Sequence, residues 1–188
     1  MEVFEAIKNR KSVRAFQYKE VEPEKLRTIV EAGNMAAGTP TTGPRHFLVI
    51  TRQELIRQIS EGAKEVMRQS GIERAVQVAN NPAYDPVFHA PAVIIVSVNA
   101  DLPPMMATIA AENAAAAGQN MLLAATALGL GSCYVGSPAM AFNLPDIRKA
   151  AGLPDGMKPV CAILIGYGKT DTPHAPRPEN PDNIIYVK

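Results

Sequence analysis

The sequence predicts an α+β fold in which one sheet is covered by helices. Helical and strand-like segments are mixed without the regular strand–helix–strand alternation of a parallel sheet. Residues 105–128 are long enough for a major helix, whereas the apolar runs at 93–98 and 160–166 have the length of buried strands. With 188 residues, the chain is expected to form a single domain spanning residues 1–188.

Turn residues and apolar spacing define the first half of the chain. Pro23 opens a helix, because a proline at the first helical position loses no needed hydrogen bond. The elements predicted here are a short helix from Val3 that ends near residues 8–11, the helix after Pro23, a loop at 38–44, a buried strand at 47–50 and a helix through 55–66.

Prolines also separate the elements of the second half, because those between residues 80 and 91 interrupt regular structure. The elements predicted after them are a buried strand at 93–98, the long helix at 105–128, a short strand at 133–135, a helix at 145–151, a strand at 160–166, a polar tail at 169–183 and a terminal strand at 184–187.

The long alanine-rich helix carries apolar residues on nearly every face. Such a helix must be buried all round, and in a chain of this size a neighbouring subunit is a natural cover. The terminal strand follows a polar tail that could carry it away from its own core. Both features predict a homodimer in which the tails embrace. The alternative is a central helix buried within a monomer.

The composition excludes several classes of function. The formal net charge is +1 and no basic stripe is present, so no nucleic-acid partner is expected. The apolar stretch at 107–130 contains four polar residues that make membrane insertion costly, so no membrane partner is expected. Cys133 and Cys161 lie in separate apolar stretches and are expected to be buried free thiols. Together with an N-terminus unlike a signal peptide, they indicate a cytoplasmic protein.

The sequence lacks the common motifs of catalysis by side chains. There is no Ser-His-Asp pattern, no H-E-x-x-H, no Walker loop and no G-x-G-x-x-G between a strand and a helix. The three histidines, at 46, 89 and 174, are scattered, so no metal site is expected. A protein without an evident acid, base or nucleophile often takes its chemistry from a cofactor.

The segment Arg10-Lys11-Ser12-Val13-Arg14 is the best candidate for binding such a cofactor. Two arginines and a hydroxyl alternate along one side of an extended segment. A guanidinium is a planar fork that suits phosphate, and a hydroxyl adds a further donor. Taken as a bare pattern, however, the segment is more typical of a solvated basic turn.

The same segment resembles the N-terminal signature of the FMN-dependent nitroreductase family. Further similar stretches follow in the family's order at residues 36–50, 122–136 and 163–168, the last followed by Pro176-Arg177-Pro178. The resemblance spans nearly the whole chain. It implies a nitroreductase-like three-layer α/β/α sandwich with a central, mostly antiparallel sheet. It also implies an intertwined homodimer with a swapped C-terminal strand and flavin sites at the subunit interface.

The resemblance assigns roles to the basic residues. Arg10 and Ser12 would hold the FMN phosphate and ribityl chain, and Arg177 would bind the phosphate with Lys169 as a helper. Arg14 would lie near the pyrimidine edge of the ring, where a cation favours the reduced flavin.

Two further groups would contact the flavin ring. One is the turn at 134–137, in which Gly136 lets the backbone approach closely. The other reaches the flavin from the second subunit. The full set expected to bind FMN is Arg10, Lys11, Ser12, Arg14, Gly38, Thr39, Thr41, Asn113, Tyr134, Val135, Gly136, Ser137, Lys169 and Arg177.

One loop departs from the family pattern. The family commonly has Asn-x-Gln-Pro-Trp, whereas this chain has Thr41-Thr42-Gly43-Pro44-Arg45. The amide side chains that contact the polar edge of the ring are missing, and so is the tryptophan. The phosphate-binding residues are unaffected.

The resemblance implies an oxidoreductase without a catalytic side chain of its own. NADH or NADPH would give hydride to flavin N5, and a small organic acceptor such as a nitroaromatic or a quinone would then take the electrons from the same pocket, with ping-pong kinetics. Tyr84, Phe88 and Tyr134 could line this pocket, although Tyr84 and Phe88 could simply pack beneath a loop. The alternatives are a flavin enzyme specialised for another metabolite and a flavin-binding protein without reductase activity.

Overall fold

The computed structural model describes residues 1–169 and 184–187. A four-stranded sheet lies at its centre, in the order β1-β2-β4-β3, and all neighbouring strands run antiparallel. The strands are β1 His46–Ile50, β2 Ala92–Asn99, β3 Gly131–Val135 and β4 Met157–Gly166. The two central strands, β2 and β4, contain unbroken apolar runs because helices cover both of their faces.

Seven α-helices are present among the described residues. They are α1 Val3–Asn9, α2 Pro23–Asn34, α3 Gln53–Gln69, α4 Glu73–Asn80, α5 Pro104–Ala127, α6 Ser137–Met140 and α7 Pro145–Ala151. Short 3-10 turns occupy Pro40–Thr42 and Ala141–Asn143.

Two hydrophobic clusters lie on opposite faces of the sheet. One face is covered by α3, α6, α7 and the 3-10 turn at Ala141–Asn143. Here Ile59 and Phe142 pack against Val93 and Leu164 of the sheet. On the other face, α2 and α5 pack Ile29 and Met121 against the sheet. The α1 helix packs in turn on α5. The result is a three-layer α/β/α sandwich, which confirms the predicted fold class.

Most of the predicted elements are confirmed within a few residues. Helix α2 begins at Pro23, as predicted from the proline, and α5 begins at Pro104, one residue before its predicted start at residue 105. Cys133 and Cys161 are buried free thiols, as predicted. Helices α4 and α6 were not predicted, because α4 buries only Ala79 and therefore has no clear apolar repeat, and α6 has only four residues.

The prediction that strand β1 is buried is wrong for the single chain, because only Ile50 is buried and Val49 is 42% exposed. Among the described strands, β1 lies at the edge of the sheet and pairs with β2 alone. The α5 helix has an exposed stripe, formed by Glu112, Ala115 and Gln119, opposite its buried face. The single chain does not bury this helix all round, and burial of its second face by a neighbouring subunit remains a prediction.

The predicted terminal strand is also absent from the single chain. Residues 184–187 form no strand among the described residues, and Ile185 is 86% exposed. The swapped strand and the dimer therefore remain predictions. No helix in the described part of the chain combines the length and apolar character required to cross a bilayer.

Candidate cofactor site

The basic N-terminal segment is held along the edge of the sheet. After α1 ends, Ser12 forms a parallel bridge with Ser132 of β3, and the Val13 N–H donates to the Ser132 carbonyl at 2.9 Å. Phe16 forms a second bridge with Gly168, just beyond β4. Val13 and Phe16 are both buried in the core, so these apolar residues anchor the segment. Arg14, which lies between them, and Ser12, which precedes Val13, are thereby held beside β3.

The cations of this segment have no acidic partner among the described residues. No carboxylate in residues 1–169 or 184–187 lies within ion-pair distance of Arg10, Lys11 or Arg14. Lys11 and Lys169 line one cavity of about 230 Å³, whose wall includes Gly131. Of the basic and hydroxyl residues predicted to bind FMN here, Lys11 and Lys169 line this cavity, whereas Arg10, Ser12 and Arg14 do not. Arg177 lies outside the described residues.

Cys133 of β3 lies next to Ser12 and Arg14. Burial raises the pKa of its thiol, while the positive charge of Arg14 and a hydrogen bond with Ser12 act in the opposite direction. The thiol is therefore neutral at physiological pH and serves as a small apolar side chain. Its surroundings show that Ser12 and Arg14 both approach the same strand.

The predicted turn at 134–137 follows directly from β3. Tyr134 leans on α5 at Gly118, where an added Cβ would lie 2.9 Å from the tyrosine ring. Burial, followed by its hydrogen bond with Cys161, raises the pKa of Tyr134. The hydroxyl oxygen of Tyr84 lies 3.4 Å from Ser137 Oγ. The turn is therefore supported from two sides, by α5 and by the loop after α4.

A second group of predicted residues gathers around Asn113 of α5. The Thr39 and Thr41 hydroxyls lie 2.9 Å apart. Thr42 is buried, donates to the Thr39 carbonyl at 3.0 Å and accepts a hydrogen bond from Asn113 Nδ2 at 3.1 Å. Gly38 lies in the same group, because a Cβ there would be 3.5 Å from the Asn113 amide carbon.

The turn at 134–137 and the group around Asn113 do not form one site within a single chain. Gly118, which contacts Tyr134, and Asn113, which contacts Thr42, both belong to α5. Residues five positions apart on an α-helix point in directions about 140° apart around its axis. The turn at 134–137 and the loop at 38–42 therefore lie on different sides of α5.

Arg45 and Thr42 hold the loop at 38–44 near Asn113, a role that the sequence did not reveal. Both belong to the loop that was described only as a loss of the family's amides and tryptophan, yet both make hydrogen bonds to the neighbourhood of Asn113. A hydroxyl and a guanidinium after a turn-rich loop do not reveal their shared partner in α5, because Asn113 lies about 70 residues away in the sequence. Tyr84 lies beside Ser137. Phe88 packs against the core cluster that contains Ile59 and Phe142, in agreement with the alternative that it packs beneath a loop.

The described residues fit a bound flavin mononucleotide on two counts. The cations of the segment at 10–14 have no paired carboxylate among the described residues, so a bound anion would neutralise their charge. A phosphate provides this charge and the acceptor oxygens that arginine and serine require. At Gly136, φ is −84°, so the backbone does not require glycine, but an added Cβ would project into open space. The surface of this turn is thus free for a flat ring to lie against the backbone.

Comparison with known proteins identifies the family. The family model described as the nitroreductase family matches residues 7–167. The chain therefore belongs to the nitroreductase family, which confirms the resemblance found in its motifs.

Individual relatives extend this similarity over the whole chain. A Methanothermobacter thermautotrophicus protein with the provisional name NADH dehydrogenase/NAD(P)H nitroreductase is 29% identical, over 89% of this chain and 78% of its own. An NADPH-dependent oxidoreductase of Staphylococcus haemolyticus is 24% identical, over 99% of this chain and 72% of its own. A nitroreductase structure with bound FMN from Bacteroides fragilis has a TM-score of 0.89 and 27% identity, with full coverage of both chains.

Proposed function

We propose that this chain, an FMN-dependent oxidoreductase by its family, passes electrons from NADH or NADPH to a small organic acceptor such as a nitroaromatic or a quinone. The observation that carries the proposal is the basic segment at 10–14, fixed on the sheet edge and without an acidic partner among the described residues. The relatives support the cofactor and the donor, because one structure contains FMN and one protein is named NADPH-dependent.

The residues of the chain supply position and charge. Arg10 and Ser12 bind the phosphate and ribityl chain, with Lys11, Lys169 and Arg177 adding positive charge nearby. Arg14 lies by the pyrimidine edge of the ring, and its cation favours the reduced state because that state carries more negative charge. When bound, FMN supplies the two-electron chemistry, accepting hydride and later releasing electrons to the acceptor.

The proposed site is completed by a second copy of the chain. Gly38, Thr39, Thr41 and Asn113 lie on a different side of α5 from the turn at 134–137, so within one subunit they do not complete it. In a homodimer built on the exposed stripe of α5, they would reach the flavin of the partner. We place this dimer in the cytoplasm, where the two buried thiols would remain reduced.

The visible absorption spectrum of the purified protein, before and after anaerobic addition of NADH or NADPH, tests the proposal. An oxidised flavin spectrum that bleaches on addition is the expected result. If no flavin is bound even after incubation with excess FMN, the proposed function is wrong.

Arg14→Ala tests the assigned role of one residue. We expect FMN affinity to fall about tenfold or flavin reduction to slow by a similar factor, because the variant lacks the charged, hydrogen-bonding guanidinium proposed to lie beside the flavin ring. Fluorescence titration with FMN and stopped-flow reduction measure these effects. Arg74→Ala, which removes an exposed cation from α4, is the control and should change neither. Normal flavin content together with normal reduction in Arg14→Ala would contradict the assignment.

A flavin-binding protein without reductase activity is the second candidate. It is favoured by the loop at 39–42, where the Thr39 and Thr41 hydroxyls pair with each other and Thr42 pairs with Asn113. These pairings leave few donors for the polar edge of a flavin ring. The same spectrum distinguishes this candidate, since it predicts bound flavin that stays oxidised in the presence of both nicotinamides.

A further inference from the structure

Arg45 makes an unusually complete set of hydrogen bonds. Its Nη1 donates to the carbonyls of Ala37 at 2.9 Å and Asn113 at 3.2 Å. Its Nη2 donates to the carbonyls of Ala36 at 2.7 Å and Asn34 at 3.1 Å. Each of these nitrogens carries two hydrogens, so four N–H groups meet four backbone carbonyls. No carboxylate of the described residues forms an ion pair with this guanidinium.

These four carbonyls belong to two separate parts of the fold. Asn34 is the last residue of α2, and Ala36 and Ala37 follow it, so Arg45 satisfies carbonyls at the C-terminal end of a helix, where a cation is favourable. The Asn113 carbonyl belongs to the middle of α5. Arg45 therefore fastens the segment at 34–38 to α5. A lysine has three donors on one nitrogen and could not span the same acceptors.

The space around the guanidinium depends on a glycine. A Cβ at Gly38 would lie 3.0 Å from Arg45 Nη1, which is tighter than ordinary contact. The Thr39, Thr41 and Asn113 side chains form the polar rim that follows directly from this segment. The position of the rim relative to α5 is thus set by the contacts of Arg45 and Thr42.

We propose that Arg45 is a positioning residue for the flavin site, which fixes Thr39, Thr41 and Asn113 by clamping the segment at 34–38 onto α5. The proposal rests on the proposed function, in which this rim reaches a flavin. It assigns Arg45 no direct contact with the flavin. The guanidinium acts through the backbone of the loop and through α5.

Arg45→Met removes the guanidinium that joins the segment at 34–38 to α5. Arg45→Lys keeps the positive charge but lacks the two nitrogens that bind the four carbonyls. We expect amide hydrogen exchange at residues 34–43 to become faster in the flavin-free protein of both variants. We also expect FMN affinity to fall about tenfold in Arg45→Met and less in Arg45→Lys, with a shifted flavin absorption spectrum and midpoint potential. Should Arg45→Met fail to fold, Arg45→Lys carries the test.

Arg52→Met is the matched control, because Arg52 Nη2 also donates to a helix carbonyl, that of Ala150 in α7 at 2.9 Å. It should lower the melting temperature without altering the flavin spectrum, potential or affinity. Unchanged spectrum, potential and affinity in the Arg45 variants, or exchange at 34–43 equal to that of the wild type, would overturn the proposal. If wild-type protein binds no FMN, the proposed function fails separately, and the exchange measurement still decides whether the clamp exists.

Discussion

Gly118 is the residue that allows Tyr134 to lie against α5. An added Cβ would be 2.9 Å from the ring and 3.1 Å from Ile163 Cδ1, so a side chain here must displace one of them. Tyr134 is 39% exposed and can move outward, whereas Ile163 is fully buried in the sheet. The tyrosine ring is therefore the group that would shift, and with it the turn proposed to lie over the flavin.

Gly118→Ala adds only one methyl group, yet we expect it to disturb the proposed flavin site. Overpacking costs about 1–3 kcal/mol, and the higher helix propensity of alanine offsets about 1 kcal/mol of that. We expect a melting temperature lower by a few degrees and a weaker affinity for FMN. Thermal denaturation and FMN titration measure the two effects.

Gly62→Ala provides the control for this prediction, because its Cβ would meet Ile147 and Leu144 on the opposite face of the sheet. It should lower the melting temperature without changing FMN affinity. Equal FMN affinity in Gly118→Ala and the wild type would show that the position of Tyr134 does not matter for flavin binding.

Helix α2 begins at a charged cluster that links it to the end of β4. The Tyr167 hydroxyl lies 2.8 Å from both Glu22 carboxylate oxygens, and Lys25 Nζ lies 2.8 Å from the same hydroxyl. The pKa of Glu22 is lowered to about 2, first by a hydrogen bond with its own backbone and then by Tyr167. A carboxylate at a helix N-terminus is also favoured by the helix dipole.

Glu22→Gln should destabilise the protein in a way that depends on pH. Because the folded-state pKa is below the ordinary value of 4.5, the stabilisation is present above that value and is lost as the pH falls towards about 2. We therefore expect the variant to melt below the wild type at pH 7 and the difference to shrink at pH 3. The cluster is exposed, so high salt should also reduce the difference.

Glu24→Gln, in the first turn of the same helix, is the control for the pH series. It removes an acidic group that makes no ion pair among the described residues. A melting-temperature difference for Glu22→Gln that stays constant from pH 7 to pH 3 would contradict the explanation based on the Glu22 carboxylate.

At the scale of the whole molecule, three features with exposed apolar side chains stand out among the described residues of the single chain. One is the outer surface of α1, where Phe4 is 82% exposed. The second is the edge strand β1, and the third is the terminal segment at 184–187. The α1 helix packs on α5, the helix that carries the exposed stripe. A homodimer that covers these features remains our prediction.

Phe4→Glu should disrupt that dimer. We expect the wild type to have the mass of two 20.1-kDa chains in light scattering coupled to size exclusion, and the variant to shift towards one. Placing a charge in a dehydrated interface is costly, and loss of the partner should also lower FMN occupancy. Ile72→Glu, an exposed apolar residue beside α4, is the control and should stay dimeric. A wild type that elutes as a monomer would rule out the dimer itself.

The sequence alone determined the class of the fold, most element boundaries and the family. Pro23 marked the start of α2, and unbroken apolar runs marked β2 and β4, because burial and backbone chemistry act locally along the chain. The motif at 10–14 became the candidate cofactor segment through its resemblance to the family's N-terminal signature, which is a run of consecutive residues.

Only the tertiary structure decided how these parts meet. It placed β1 at an edge, left one stripe of α5 exposed and put Gly118 under Tyr134. It also turned Arg45, which the sequence presented only as a missing tryptophan, into the link between the end of α2 and the middle of α5. The contact between Arg45 and Asn113 joins residues about 70 positions apart, and contacts of this kind depend on how whole elements pack, which no local pattern records.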